Sequence, residues 1–147
     1  MNIGDAVEAA FAYWAIQQGF EIFQPLSHHT KTDVVIRKPN GPFIGVQIKK
    51  GSLQKQSTPN HKKRWKFLLG SGLPSVTRSK KDNDRKDKRK RYNLYKSGDF
   101  QILAVFIMEL ETWAFYRLED VIGNASKSWN QTDGPHNNWE IFSEKYW

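Results

Sequence analysis

Three short stretches of the sequence carry residues able to do chemistry together: Glu8, Asp33, and Gln47-Ile48-Lys49. In a strand, successive side chains alternate between faces, which puts Gln47 and Lys49 on one side and Ile48 on the other. Val46 and Ile48 can then be buried while the polar pair looks into a cleft beside Asp33. Polar groups turned inward need partners, and phosphodiester hydrolysis supplies them. Asp33 offers a carboxylate to a hard cation and Gln47 a neutral amide oxygen. Backbone carbonyls, that of Ile48 among them, and waters would complete an octahedral Mg²⁺ shell, with Mn²⁺ as the expected substitute. Such a cation polarises the phosphate and lowers the pKa of a bound water. Lys49 can hold that water and stabilise the charge that develops on phosphorus. Glu8 can order metal-bound water from behind the direct ligands.

Each residue alone has a plainer reading. Glu8 is an acid near a helix start, where the dipole favours it. Asp33 can cap a turn, and Gln47 and Lys49 can be the wet face of an edge strand. Their order and the elements that carry them decide for a site. Residues 4–18 read as a helix, because Val7, Ala10, Phe11, Trp14 and Ala15 follow helical spacing and Gly19 supplies the stop. Strands are expected at Phe20–Gln24, Thr32–Lys38 and Phe43–Lys50, the last two joined by a turn at Pro39-Asn40-Gly41-Pro42. A two-residue Asn40-Gly41 loop would turn Asp33 away from Gln47 and Lys49. The site therefore requires an odd loop, such as Asn40–Pro42, which would set Asp33 opposite Lys49. Trp65–Leu69 is a further candidate strand, Phe100–Met108 a central one, and Thr112–Tyr116 its returning neighbour. The aromatic-spaced tail reads as a lid over the core.

Charge is concentrated rather than spread. Between Lys49 and Arg91 lie 16 of the 23 Lys and Arg residues against three acids, Asp82, Asp84 and Asp87, while the remainder is mildly acidic. Such a block is the footprint of a polyanion partner. The expected DNA contacts are Lys50, Lys62, Lys63, Arg64, Lys66, Arg78, Lys80, Lys81, Lys88, Arg89, Lys90 and Arg91. The run from Arg78 to Arg91 has no apolar side chain and is expected to order only on DNA. With 147 residues and 14% aromatics the chain is expected to form one domain over 1–147, with a basic insertion at about 52–98. There is no cysteine, no apolar run of membrane length and no signal-like N-terminus, so a cytoplasmic location is expected. His28 and His29 precede Asp33 and are expected to be polar loop residues, and Asp99 stays outside the catalytic set. The histidines show no zinc-ligand spacing.

The segments GDAVEAAF, GFEIFQPLSHHTKTDVVIR and FIGVQIKKG, followed more loosely by YKSGDFQILAVF and WAFYRLEDVIG, resemble the PD-(D/E)XK nuclease superfamily. Its Holliday-junction-resolvase-like and Mrr-like members, and small homing endonucleases on the same core, look nearest. The resemblance implies an α/β, restriction-endonuclease-like αβββαβ core with a mixed central sheet. It also implies Glu8 as the helix glutamate, Asp33 as the metal-binding aspartate, Gln47 in the D/E place and Lys49 as the catalytic lysine. Thr32 stands where the motif has Pro, and Gln47 replaces an acid, which should weaken metal binding. The expected activity is Mg²⁺-dependent DNA cleavage by a homodimer or higher homo-oligomer, with duplex DNA favoured over a four-way junction because of the long basic arm. A non-catalytic DNA-binding module on the same fold is the rival. An RNA-binding basic protein would leave the Asp33, Gln47 and Lys49 face unexplained.

Overall fold

The N-terminal helix α1 (Ile3–Gln17) buries Val7, Phe11 and Ala15, the stripe its apolar spacing marks. It ends in a Schellman turn: Gly19 N–H donates to the Ile16 carbonyl (2.9 Å) and Phe20 N–H to that of Ala15 (3.0 Å), with Gly19 at φ +80°. The Phe20 ring then packs 6.0 Å from Trp14, closing the turn with an apolar contact. In this computed structural model residues 3–27, 29–53, 64–69, 71–72, 92–123, 126–130 and 138–143 are described.

Strands β1 (Glu21–Phe23), β2 (Val34–Arg37) and β3 (Ile44–Leu53) follow, paired antiparallel in sequence order. The β2–β3 loop is of odd length, as the site requires, but its centre lies one residue earlier than expected. Ile36 pairs with Ile44 and Val34 with Val46, so Asp33 arrives beside Gln47 and Ile48 rather than opposite Lys49. The cause is the turn. Gly41 N–H donates to the Lys38 carbonyl (2.8 Å) and Asn40 takes φ +62°, which places Pro39 and Asn40 at its centre. Proline second and a positive-φ residue third is the pattern of a type II turn.

Strand β4 (Arg64–Leu68) comes next, then a two-residue ribbon of β5 (Ser71–Gly72) with β6 (Tyr92–Asn93). Strand β7 (Ile102–Ile107) leads through a 3₁₀ turn at Met108–Leu110 into β8 (Thr112–Arg117). A short helix α2 (Leu118–Val121), strand β9 (Ser126–Asn130) and a 3₁₀ turn at Trp139–Phe142 complete the described chain. Strand β9 was not expected: its sequence SKSWN is mostly polar, and its pairing with β4 is non-local.

Strand β3 organises the sheet by taking three partners along its length. It holds β2 at its start, β7 in parallel from Val46 to Gly51, and β4 at Ser52 and Leu53. One parallel pair among antiparallel ones makes the mixed sheet that was expected. Cores lie on both faces. On the α1 side Val34, Ile36, Val46, Ile48, Ala104 and Phe115 pack with Phe11. On the other, Leu103, Val105, Ala114 and Tyr116 pack with Trp65, Phe67 and Tyr95. Burial on both faces is why β7 reads as a continuous apolar run. The tail does act as a lid where it is described: Phe142 is buried, 4.8 Å from Phe115 and 5.3 Å from Trp14. Just before it, the Asn138 amide takes both backbone groups of Phe115, accepting from its N–H (2.9 Å) and donating to its carbonyl (2.8 Å).

Much of the basic segment lies outside the described residues: Lys62, Lys63, Arg78, Lys80, Lys81, Lys88, Arg89, Lys90 and Arg91, together with His28, His61 and His136. Lys50 is exposed on β3, Lys66 is half-buried beside Ser52, and Arg64 opens β4. No helix among the described residues is long and apolar enough to cross a membrane.

Candidate active site

Strand β2 accompanies β3 only as far as Val46, and the Asp33 side chain takes up the edge that β2 leaves. Asp33 N–H still donates to the Val46 carbonyl (2.9 Å). One step on, Asp33 Oδ2 accepts the Ile48 N–H (2.6 Å), doing what a strand backbone would otherwise do. The same oxygen accepts from Gln47 Nε2 at 2.5 Å. A carboxylate can only accept, so the Gln47 amide must turn its nitrogen to Asp33, and its own oxygen remains for another donor or a cation. A glutamate there would set two negative charges in contact. The neutral amide resolves that conflict. Gln47 is buried, and its nitrogen also lies 3.5 Å from the Ile48 carbonyl, which opens on the same edge as the Ile48 N–H.

Lys49 shares the Gln47 face and sits beside Val105 of β7, half-buried, with its ammonium 5.9 Å from the Tyr95 ring centre. Glu8 lies on α1, which covers the opposite face, and is itself exposed. Their charges act on one another. Glu8 titrates above the usual carboxylate range because of partial burial and then the nearby Asp33 and Asp5 carboxylates. Burial also raises Asp33, against the Ile48 N–H and the Lys49 ammonium, which lower it. Burial lowers Lys49; Asp33 pulls it back up and the Lys31 ammonium pushes it further down. The structure thus brings together Asp33, Gln47, Lys49 and the Ile48 backbone, with Glu8 on α1 near enough for the Asp33 charge to act on it.

The available donors are hard oxygens: the second carboxylate oxygen of Asp33, the Gln47 amide oxygen and the Ile48 carbonyl, with the Glu8 carboxylate nearby. That set suits Mg²⁺ or Mn²⁺ and not a soft metal. The Asp33 carboxylate raises the proton affinity of Glu8, and neighbouring carboxylates are a place where a cation is electrostatically welcome. Among the described residues no group of three or more His, Cys, Asp or Glu gathers as a metal cluster, so a cation here must rely on the amide and backbone oxygens.

A polar strap that sequence reasoning did not reveal fixes this edge from behind. Thr32 Oγ1 donates to the Asp99 carbonyl (2.8 Å), and Thr32 N–H donates to Thr30 Oγ1 (3.1 Å). Proline at 32 would lose both. Gln101 completes the clamp: its side-chain oxygen accepts the Gly45 N–H (2.5 Å) and its N–H donates to the Gly45 carbonyl (2.9 Å). A Cβ on Gly45 would stand 2.7 Å from that same oxygen, so a larger residue there would push the Gln101 amide off its bond. His29 is exposed, and its backbone N–H donates to Ser27 Oγ (3.2 Å).

A carboxylate with a raised pKa destabilises the folded, metal-free protein when it is ionised. That penalty is fully present above the folded pKa and is relieved as pH falls through it. Asp33→Asn removes the charge but keeps an acceptor oxygen for Gln47 and Ile48. At neutral pH in EDTA its thermal midpoint is expected to rise by about 2–4 °C, on the order of 1 kcal/mol. The gain should shrink on acidification toward the carboxylate range. A variant that melts lower than wild type in EDTA would refute the account that burial of this charge costs stability.

The model of a family described as PD-(D/E)XK endonuclease matches residues 1–138. Among solved structures, the fold is similar to that of a bacterial homing endonuclease, I-Ssp6803I, with a TM-score of 0.65 and 19% identity over 97% of this chain and 91% of that one. No curated protein matches the sequence.

Proposed function

Because this chain belongs to the PD-(D/E)XK endonuclease family, we propose that it is a Mg²⁺-dependent endodeoxyribonuclease acting on duplex DNA, with Glu8, Asp33, Gln47 and Lys49 as its catalytic group. One observation carries the reading: the Asp33 carboxylate is held in place by Gln47 Nε2 and the Ile48 N–H, directly beside Lys49 on the Gln47 face. Asp33, Gln47 and the Ile48 carbonyl would hold the ion. When bound, it supplies Lewis-acid polarisation and neutralises phosphate charge. The protein's own groups do the rest. Lys49 holds the attacking water and stabilises the negative charge gathering on the phosphoryl oxygens as the P–O bond to the leaving hydroxyl breaks. Glu8 orders water on the opposite side of Asp33. The basic segment between Lys50 and Arg91 holds the backbone through its phosphates.

A duplex site of homing or restriction type suits the long basic segment better than a junction does. The two strands run in opposite directions and one site cuts one strand. A symmetric homodimer therefore supplies the two sites that a double-strand break needs. The test is cleavage of a pooled plasmid library with randomised inserts, and of synthetic four-way junctions, in Mg²⁺, Mn²⁺ and EDTA. Nicked or linear plasmid in either metal and none in EDTA is the expected result. Cutting confined to junctions would move the substrate to recombination intermediates. Binding without cleavage in any metal would leave a DNA-binding module.

A further inference from the structure

Immediately before Asp33 the chain lines a cavity of about 300 Å³, formed among the described residues by His29, Thr30 and Lys31 on one wall and by Leu94, Lys96, Gly98 and Asp99 on the other. The two walls are distant in sequence and are pinned together at their base by the Thr32 hydroxyl on the Asp99 carbonyl. The second wall is a turn in its own right. Asp99 N–H donates to the Lys96 carbonyl (3.2 Å), Asp99 Oδ2 accepts the Lys96 N–H (2.8 Å), and Gly98 takes φ +90°. The cavity is therefore lined by two lysines against one carboxylate already engaged by a backbone N–H. Neither lysine is among the DNA contacts expected from sequence, which all lie between Lys50 and Arg91.

We propose that this cavity is a subsite for the DNA phosphate next to the scissile one, bound by Lys31 and Lys96. The inference rests on the proposed nuclease reading and adds a register to it. Position supplies the argument. Lys31 is two residues before Asp33, and two residues of chain span at most about 7 Å. That is comparable with the separation of successive phosphates along one strand, so a strand whose phosphate lies at Asp33 and Lys49 has a neighbouring phosphate within reach of this cavity. Holding the adjacent phosphate would fix the scissile group for in-line attack, the kind of positioning worth large factors in rate.

The experiment compares wild type with Lys31→Ala/Lys96→Ala in two measurements. Binding of a short random-sequence duplex in Ca²⁺ is followed against salt, and the slope of log K on log salt should fall by about 0.9, one phosphate's worth. Single-turnover cleavage at saturating enzyme should fall about tenfold or more, and Lys31→Arg/Lys96→Arg should recover both. Both lysines are at least partly exposed, so the thermal midpoint should stay unchanged. An unchanged salt slope overturns the subsite even if wild type cleaves normally, and the nuclease reading then stands. A reduced slope with an unchanged single-turnover rate also overturns it, because a phosphate held elsewhere on the surface adds affinity without positioning. A wild-type protein that neither binds nor cuts DNA removes the nuclease reading and the subsite with it.

Discussion

Lys49→Met is expected to lower Mg²⁺-dependent cleavage by on the order of 10²–10³-fold, the loss that follows removal of one donor aimed at transition-state charge. Methionine keeps an apolar stem beside Val105 and Tyr95, so the comparison removes charge and leaves packing nearly intact. Duplex affinity in Ca²⁺ should change no more than a few-fold, since at most one of many phosphate contacts is lost. Asp33→Ala should be at least as damaging to cleavage for a different reason. It removes the proposed cation ligand and also leaves the Ile48 N–H and the buried Gln47 amide without the Asp33 oxygen that holds them. The two variants should therefore part in a metal titration, with Asp33→Ala shifting the midpoint and Lys49→Met leaving it in place. Wild-type cleavage rates in Lys49→Met would remove that residue from the mechanism.

Phe115→Ala is expected to cost about 3–5 kcal/mol, lowering the thermal midpoint by about 10 °C or more. Phe115 is 1% exposed on β8, stacked on Trp113 at 6.1 Å, and also in contact with Trp14 at 5.9 Å and Phe142 at 4.8 Å. It thus joins the helix, the sheet and the tail in one cluster. Truncation leaves a cavity bordered by rigid rings that cannot collapse into it. Phe115→Leu should lose clearly less, because most of the volume remains. Because α1 carries Glu8, the alanine variant should also lose activity below its melting point. A midpoint within 3 °C of wild type would show that this cluster is not the keystone described.

What could be read from sequence followed the range over which each signal acts. The buried stripe Val7, Phe11 and Ala15 is a local pattern with a period of 3.6, and the helix begins and ends within one residue of expectation. The apolar run of β7 is equally local. Gln47 and Lys49 stood out as polar residues interrupting an apolar strand, and their shared face follows from strand geometry alone. The exact register of β2 on β3 was less accessible. The expected Asn40–Pro42 loop and the observed turn on Pro39-Asn40 place the loop centre one residue apart, and the choice moves Asp33 by two positions on its partner strand, from Lys49 to Gln47. The Gln47–Asp33 bond depends on that choice. The Thr32–Asp99 strap joins residues 67 apart, and β9 is a polar segment recruited by β4, so neither has a local signature. Strand β3 was expected to stop at Lys50. It continues through Gly51 because β7 remains paired with it as far as Ile107.

The Asn138 side chain on β8 has a consequence for how copies of this protein can meet. Among the described residues β8 pairs only with β7, so its far side is a border of the sheet. A bare border of backbone groups is a template on which a stray strand can grow. At Phe115 both of those groups are already engaged by one primary amide, which imitates a strand for the length of a single rung. An incoming chain would have to evict Asn138 and lift Phe142 off the core before it could zip along this border. A lone asparagine here acts as a stopper against runaway sheet growth, and any symmetric assembly of this enzyme must form through other surfaces.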